Sequence, residues 1–280
     1  MWKRGALTGA SFFWLHHMFI AYPADAGNLY KNQRANYMRA VLFWPYQLYA
    51  WLFFFPMVIL LTLLFSTLTV IFATLVNPEW ASRVFAATWA RTCAYLTPVR
   101  VIVEGGEHAI PGQSYVVVLN HQSMYDILLV YGWLKLDLKW VMKKELRNIP
   151  GIGIGCEKAG HIFVDRKNPK QASIAISEAL ARISKGIGIL FFPEGTRSRD
   201  GRLLSFKKGA FRLAIDQGLP ILPVTLVGTR DILPAKSLKP FPGTIRMVIH
   251  PAVNPDGKSA EELLEETRGV IKSAMPPELR

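Results

Sequence analysis

The sequence predicts an α/β domain preceded by an N-terminal hydrophobic membrane helix or a re-entrant helix pair. Three features carry that prediction. No charged residue occurs between Arg39 and Glu79. From about Thr97 onward, short apolar runs of strand length alternate with amphipathic stretches of helical period. The composition suits neither an ordinary soluble chain nor a disordered one: of 280 residues 51% are hydrophobic and only 19% charged.

Within the uncharged gap, residues 50–76 read AWLFFFPMVILLTLLFSTLTVIFATLV. A bilayer core needs about 20 apolar residues in a helix, and this run exceeds that. It is apolar all round rather than on one face, which separates it from the core helix of a soluble protein. Pro45 and Pro56 interrupt it, and proline kinks a helix or ends it at the preceding residue. The run therefore reads as one tilted span or as a bent, re-entrant pair. Trp44, Tyr46, Tyr49 and Trp51 lie near its start, where amphipathic rings favour the headgroup level. Lys31, Arg34 and Arg39 flank one end, and Arg83, Arg91 and Arg100 the other, so flanking charge gives no orientation. That symmetry favours a segment re-entering from one side. Residues 1–40 form an extension open to two readings. Gly5 to Ala21 after Lys3-Arg4 resembles a signal peptide, though His16 and His17 break its apolar stretch. Alternatively Met38, directly before the membrane run, is the true start.

In the C-terminal part the expected strands are Val99–Glu104, Tyr115–Leu119, Lys139–Met142, Ile187–Phe192, Ile221–Val227 and Thr244–Ile249. The expected helices are Tyr125–Trp133, Pro169–Ser184, Gly209–Gln217 and Ala260–Met275. Gly218-Leu-Pro stops the third of these, and Ser259 with Glu262 forms a capping-box pattern for the fourth. The division expected is 1–40 extension, 41–96 membrane-anchoring helical segment and 97–280 catalytic domain.

A formal net charge of +13 calls for an anionic partner: a membrane surface, a phosphate-bearing substrate or nucleic acid. The long apolar run speaks against nucleic acid. Cys93 and Cys156 make neither a disulfide framework nor a metal-ligand spacing, and the six histidines form no ligand cluster, so no metal is expected.

Three motifs carry chemistry. Asn120-His121-Gln-Ser-Met-Tyr-Asp126 directly follows the strand Tyr115–Leu119. Five residues is the wrong separation for one helix face. It becomes useful if His121 ends the strand and Asp126 lies in the first turn of the next helix, where its carboxylate accepts from one imidazole nitrogen and leaves the other free for a proton. Taken alone, a His and an Asp five apart are common, and the pair more often describes a capped helix with a surface histidine. Gly160-His-Ile-Phe-Val-Asp165-Arg166 is a short apolar strand delivering Asp-Arg, either a surface turn or a guanidinium aimed at a phosphate. Phe192-Pro-Glu194-Gly195-Thr196-Arg197-Ser198 ends an apolar strand in a Pro/Gly turn, at the strand end where ligands bind in open α/β sheets. Ser205-Phe-Lys207-Lys208-Gly209 then opens a helix, whose N-terminus can receive anions.

With these motifs in order, the chain resembles the glycerolipid acyltransferases over roughly residues 90–255. His121 and Asp126 stand at the family's His-x4-Asp positions. Gly160 to Arg166, Phe192 to Ser198 and Leu222-Pro223-Val224 match its other blocks, and Lys143-Lys144-Glu145-Leu146 before Ile149-Pro-Gly151 looks like the phosphatidate-forming members. The resemblance implies the family's mixed sheet flanked by helices. It implies transfer of a fatty acyl group from acyl-CoA or acyl-carrier protein to the 2-hydroxyl of lysophosphatidic acid, giving phosphatidic acid. His121 would be general base and Asp126 its orienter, with no protein nucleophile and no cofactor. Arg166, Arg197, Lys143 and Lys207 would hold the phosphate, and Glu194, Gly195 and Thr196 would shape the glycerol site. The expected partners are these substrates and membrane lipids. The expected place is the cell membrane, with the catalytic domain on the cytoplasmic side. Another lysolipid acceptor, such as a lyso-ornithine lipid, a transacylase and a non-catalytic lipid-binding membrane protein are the alternatives.

Overall fold

Tyr115–Leu119, five consecutive apolar residues, is buried at every position. That is the signature of a central parallel strand covered on both faces. The structure, a computed structural model, describes residues 41–165, 167–180 and 186–280. Its strands are β1 (Val99–Glu104), β2 (Tyr115–Leu119), β3 (Asp137–Lys143), β4 (Ile162–Val164), β5 (Ile187–Phe191), β6 (Ile221–Val227) and β7 (Gly243–Ile249). They form one seven-stranded sheet in the order β1-β7-β6-β2-β5-β3-β4. All pairings are parallel except that of β6 with β7, so the sheet is mixed.

The helices are α1 (Val41–Leu75) and α2, which runs through Pro78–Ala81, Ser82–Ala86 and Ala87–Leu96. There follow α3 (Tyr125–Trp133), α4 (Ile152–Lys158), α5 (Pro169–Leu180), α6 (Gly209–Gln217), α7 (Thr229–Ile232) and α8 (Ala260–Ser273). Side chains alternate across a strand, so β2 feeds two cores. Tyr115, Val117 and Leu119 join Ala90 and Cys93 of α2 and Leu129 of α3 on one face. Val116 and Val118 join Phe211 of α6 and Leu263 of α8 on the other. The expected capping box of α8 is present, with Ser259 and Glu262 each accepting from the other's backbone N–H. The expected helix Pro169–Ser184 is described as far as Leu180, and residues 181–184 of it lie outside the described residues. The 1–40 extension also lies outside them. Short α4 and α7 carry no clear sequence period and were not expected.

The prolines do not split the apolar run. Pro56 donates no N–H, and its ring crowds the carbonyl four residues back. The helix accommodates this by widening into a π turn over Ala50–Phe54, where the Phe55 N–H reaches the Ala50 carbonyl. It then continues unbroken to Leu75. Its 35 residues are long and apolar enough to cross a membrane, and Leu52, Ile59, Leu60, Leu63 and Leu64 are exposed. At 1.5 Å per residue the helix measures about 52 Å, more than the roughly 30 Å of a hydrocarbon core.

α2 turns back along α1. Phe72 packs on Trp80 and Phe85, the Trp89 indole donates to Thr62 Oγ1 at 3.1 Å, and the Tyr49 hydroxyl donates to the Leu96 carbonyl at 2.8 Å. α1 also touches the sheet domain. Ser66 Oγ donates to the Gly151 carbonyl, Gln47 Nε2 donates to the Pro240 carbonyl at 3.0 Å, and Phe43 meets Phe241. A Cβ at Gly155 would lie 2.3 Å from Ser66 Oγ, so a side chain there would displace the Ser66 hydroxyl from its place between α1 and α4. Burial of an apolar run contributes about 25 cal/mol per Å² and salt does not screen it. Basic patches contribute about 1 kcal/mol per residue and are screened. The full-length protein is therefore expected to stay with the membrane through high salt and alkaline carbonate, and a truncated protein starting at Arg91 to lose that association. Fractionation checks this, and full-length protein in the carbonate supernatant would rule out the anchor.

Candidate active site

β2 and β5 are parallel neighbours, with Val118 opposite Phe191. Their carboxyl ends therefore release two loops side by side, one carrying His121 and the other Glu194 to Ser198. The Asn120 side chain fixes the first exit. Its Nδ2 donates to the Leu226 carbonyl at 2.9 Å and its Oδ1 accepts from the Leu226 N–H at 2.8 Å, clamping β2 to β6.

Asp126 is the second residue of α3 and is fully buried. A buried carboxylate is costly unless hydrogen bonds replace its water. One oxygen, Oδ2, accepts three: from Gln122 N–H at 2.7 Å, Ser123 N–H at 2.9 Å and His121 Nδ1 at 2.7 Å. Its place in the first turn of α3 adds the favourable end of the helix dipole. The His121 bond requires the proton on Nδ1, which leaves Nε2 as the basic nitrogen. Among the described residues no side chain hydrogen-bonds that Nε2. The Phe192 ring lies flat on the imidazole, with centroids 3.9 Å and planes 17° apart. This geometry can serve a base with its orienter, and among the described residues no nucleophilic side chain is bonded to Nε2.

Glu194 sits elsewhere than expected. It is buried, and both carboxylate oxygens are taken by backbone: Oε1 accepts from His121 N–H at 2.6 Å and Oε2 from Leu204 N–H at 3.0 Å. It bridges the β2 exit to the loop before α6, so its carboxylate is not presented to a ligand. The Ser198 N–H donates to the His121 carbonyl at 2.8 Å, and Gln122 Nε2 donates to the Gly201 carbonyl at 3.0 Å. Those bonds hold the same two loops together. Gly195 has φ +71, left-handed backbone that favours glycine, and a Cβ there would lie 2.9 Å from Lys207 Nζ. Thr196 is exposed. Arg197 is half-buried and Lys207 exposed, and neither side chain makes a hydrogen bond or ion pair among the described residues. Two cationic groups without protein partners thus stand on the loop beside His121. Lys143 differs: it ends β3 and its ammonium lies 3.3 Å from Glu145. Lys144 Nζ donates to Asp165 Oδ2 at 2.6 Å. Arg166 lies outside the described residues.

Asn120, Phe192 and Ser198 stand inside the motifs but drew no role from sequence. Their contacts are to residues distant in the chain, which no spacing signals. His161, inside the second motif, is buried beneath Tyr131, whose hydroxyl lies 2.6 Å from Nε2. Burial drives its basicity down to about 3, so it stays neutral and structural.

This fold and site define an α/β protein with a histidine–aspartate dyad at the carboxyl edge of a mixed sheet, carried beside a membrane-length helix. The acyltransferase family profile matches residues 100–227. A solved structure, the 1-acyl-sn-glycerophosphate (LPA) acyltransferase PlsC from Thermotoga maritima, superposes with a TM-score of 0.71 at 31% identity, over 81% of this chain and 93% of that one. A 1-acyl-sn-glycerol-3-phosphate acyltransferase of Chlamydomonas reinhardtii is 36% identical over 194 residues, 68% of this chain. The alpha 1-acyl-sn-glycerol-3-phosphate acyltransferase of Mus musculus is 36% identical over 171 residues, 60% of this chain. The matched stretches span 57% and 60% of these two relatives' own lengths. The chain belongs to the acyltransferase family.

Burial pushes the Glu194 carboxyl up to about 7, with Asp126 adding to the rise and the two backbone donors opposing it. A folded-state value above the unfolded one means the folded protein holds the proton longer. Stability is therefore full below the usual glutamate range and falls as pH rises through about 7, by on the order of 3 kcal/mol if the whole shift is realised. Unfolding midpoints of the wild type and Glu194→Gln between pH 4.5 and 8 check this. The wild type should lose ground to the variant across that window, and a constant gap would dismiss the linkage.

Proposed function

We propose that the protein transfers a fatty acyl group from an acyl thioester to the 2-hydroxyl of lysophosphatidic acid, forming phosphatidic acid. The observation that carries this reading is the His121–Asp126 pair, whose Nε2 no described residue bonds, near Arg197 and Lys207, which are unpaired among the described residues. Its relatives' names support the substrate class.

In the reaction His121 Nε2 takes the proton of the 2-hydroxyl as its oxygen attacks the thioester carbonyl. Asp126 keeps the Nδ1 proton in place and stabilises the imidazolium that forms. The tetrahedral intermediate then expels the thiolate, to which the imidazolium returns the proton. The alcohol is the nucleophile, so no acyl-enzyme is formed and no cofactor is needed. Arg197 and Lys207 meet the phosphate, the guanidinium through its fork and the ammonium as a point charge. Arg166 and Lys143 join them in this reading, Lys143 by exchanging Glu145 for the phosphate. Holding acceptor and donor in line supplies much of the barrier reduction. In this reading the acyl donor is acyl-CoA or acyl-carrier protein, both cytoplasmic, and the sheet domain faces the cytoplasm with α1 in the cell membrane.

His121→Ala is expected to fold and to lose acyl transfer by about 10²–10⁴-fold or more, the loss of a general base. Asp126→Asn should be nearly as damaging, because it favours the wrong tautomer. Steady-state assays with an acyl-CoA and 1-acylglycerol 3-phosphate measure both, and near-normal turnover by His121→Ala would overturn the catalytic assignment.

Arg197→Ala should raise KM for lysophosphatidic acid about tenfold or more while leaving KM for the donor nearly unchanged, since a charge-assisted bond contributes roughly 1.5–3 kcal/mol. Equal weakening for both substrates would assign Arg197 a structural role, and preference for an uncharged acceptor would remove the phosphate reading.

A further inference from the structure

The hydrogen bond to Asp126 fixes one edge of the His121 imidazole but not the tilt of its plane. The ring can still rock about the Nδ1 to Oδ2 line and swing Nε2, and a displacement of about 1 Å in a reacting group costs on the order of 10²-fold in rate. The face of the ring therefore needs its own support. Phe192 covers it in near-parallel contact. Phe192 is in turn held by its backbone and by a wall of rings. Its carbonyl accepts from the Gly195 N–H at 3.0 Å, and Pro193 after it accepts from the Lys207 N–H at 2.9 Å. Trp140, 5% exposed, stands 5.9 Å from it at 48°. Tyr131 packs 4.7 Å from Trp140 at 30° and is tied to buried His161. Trp89 meets Tyr131 edge-on at 6.5 Å, and its indole bonds Thr62 of α1. Partly buried Phe192 is thus backed by Trp140 and by a chain of rings leading to α1.

We propose that Phe192 is a positioning residue for His121, setting the plane of the imidazole, with Trp140 backing it. The chemistry explains why a ring is needed rather than an aliphatic chain. A flat face meets the whole imidazole plane, and its negative quadrupole attracts the positive charge that develops on the ring as Nε2 takes the proton. That attraction is stronger in the transition state than in the ground state, so it acts on kcat rather than on substrate binding. The inference rests on His121 acting as the base.

The test uses the full-length protein in detergent–phospholipid micelles, with an acyl-CoA and 1-oleoylglycerol 3-phosphate. Phe192→Leu is expected to lower kcat ten- to hundredfold, on the scale of an about 1 Å misplacement, with KM for both substrates within about twofold of wild type. Phe192→Tyr, which keeps the ring, should restore most of the rate. In the His121→Ala background Phe192→Leu should cost nothing further, because the two act as a unit. Wild-type turnover by Phe192→Leu, a rise in KM alone, or equal damage from Tyr and Leu would each overturn the inference. The two failures are separable. Activity retained by His121→Ala sinks the base reading, whereas a dead His121→Ala with a normal Phe192→Leu sinks only the positioning role. If Phe192→Leu unfolds, Trp140→Leu keeps the stacked pair but removes its backing, and the same loss of kcat at constant KM is expected. Unchanged kcat there would count against the proposal.

Discussion

The buried carboxylate of Asp126 is the constraint around which the site is built. A charge removed from water must be compensated locally. Here one oxygen draws in two backbone N–H groups from the turn ahead of α3 and the imidazole of His121. The same bonds that make the burial tolerable fix the turn, the side of the imidazole that carries a proton, and the nitrogen left basic. The other oxygen, Oδ1, is buried without a hydrogen bond. The compensation is thus concentrated on the atom that faces His121.

A second carboxylate repeats the device one loop away. Glu194 uses both oxygens on backbone N–H groups, one of them that of His121 itself. Two neighbouring buried acids hold the same histidine, one by its ring and one by its main chain. Burial above all, with a smaller contribution from nearby Asp126, makes Glu194 reluctant to ionise. The cationic groups divide differently. Among the described residues Arg197 and Lys207 are left unpaired, whereas Lys143 and Lys144 face Glu145 and Asp165. Unpaired positive charge among the described residues thus follows from where the fold places carboxylates, not from where basic residues are dense.

The apolar helix is joined to this site by packing rather than by a flexible link. Serine and glycine at the α1–α4 contact let the backbones approach, and Trp89 carries the contact from Thr62 inward to Tyr131. Such packing sets the height of the sheet's carboxyl edge relative to α1.

The sequence by itself determined most of the sheet, because period-two and fully apolar runs bounded by Gly and Pro leave few alternatives. β1, β2, β6, α3 and α6 follow their predicted limits. It also showed how His121 and Asp126 could meet, since a strand end and the first turn of the following helix bring positions five apart together, and the structure makes that contact. What it left open depends on contacts between segments distant in the chain. Whether Pro56 breaks the apolar run was decided by a π turn that local pattern does not encode. Glu194 looked like a ligand group because it sits in a polar turn at a strand end. Only the adjacency of β2 and β5 turns it toward the His121 backbone. Phe192 looked like the last residue of an apolar strand, and only that same adjacency lays its ring on the imidazole. Side-chain period reports which face a residue occupies. Which distant group meets it there is set by strand order, and strand order is a property of the whole sheet.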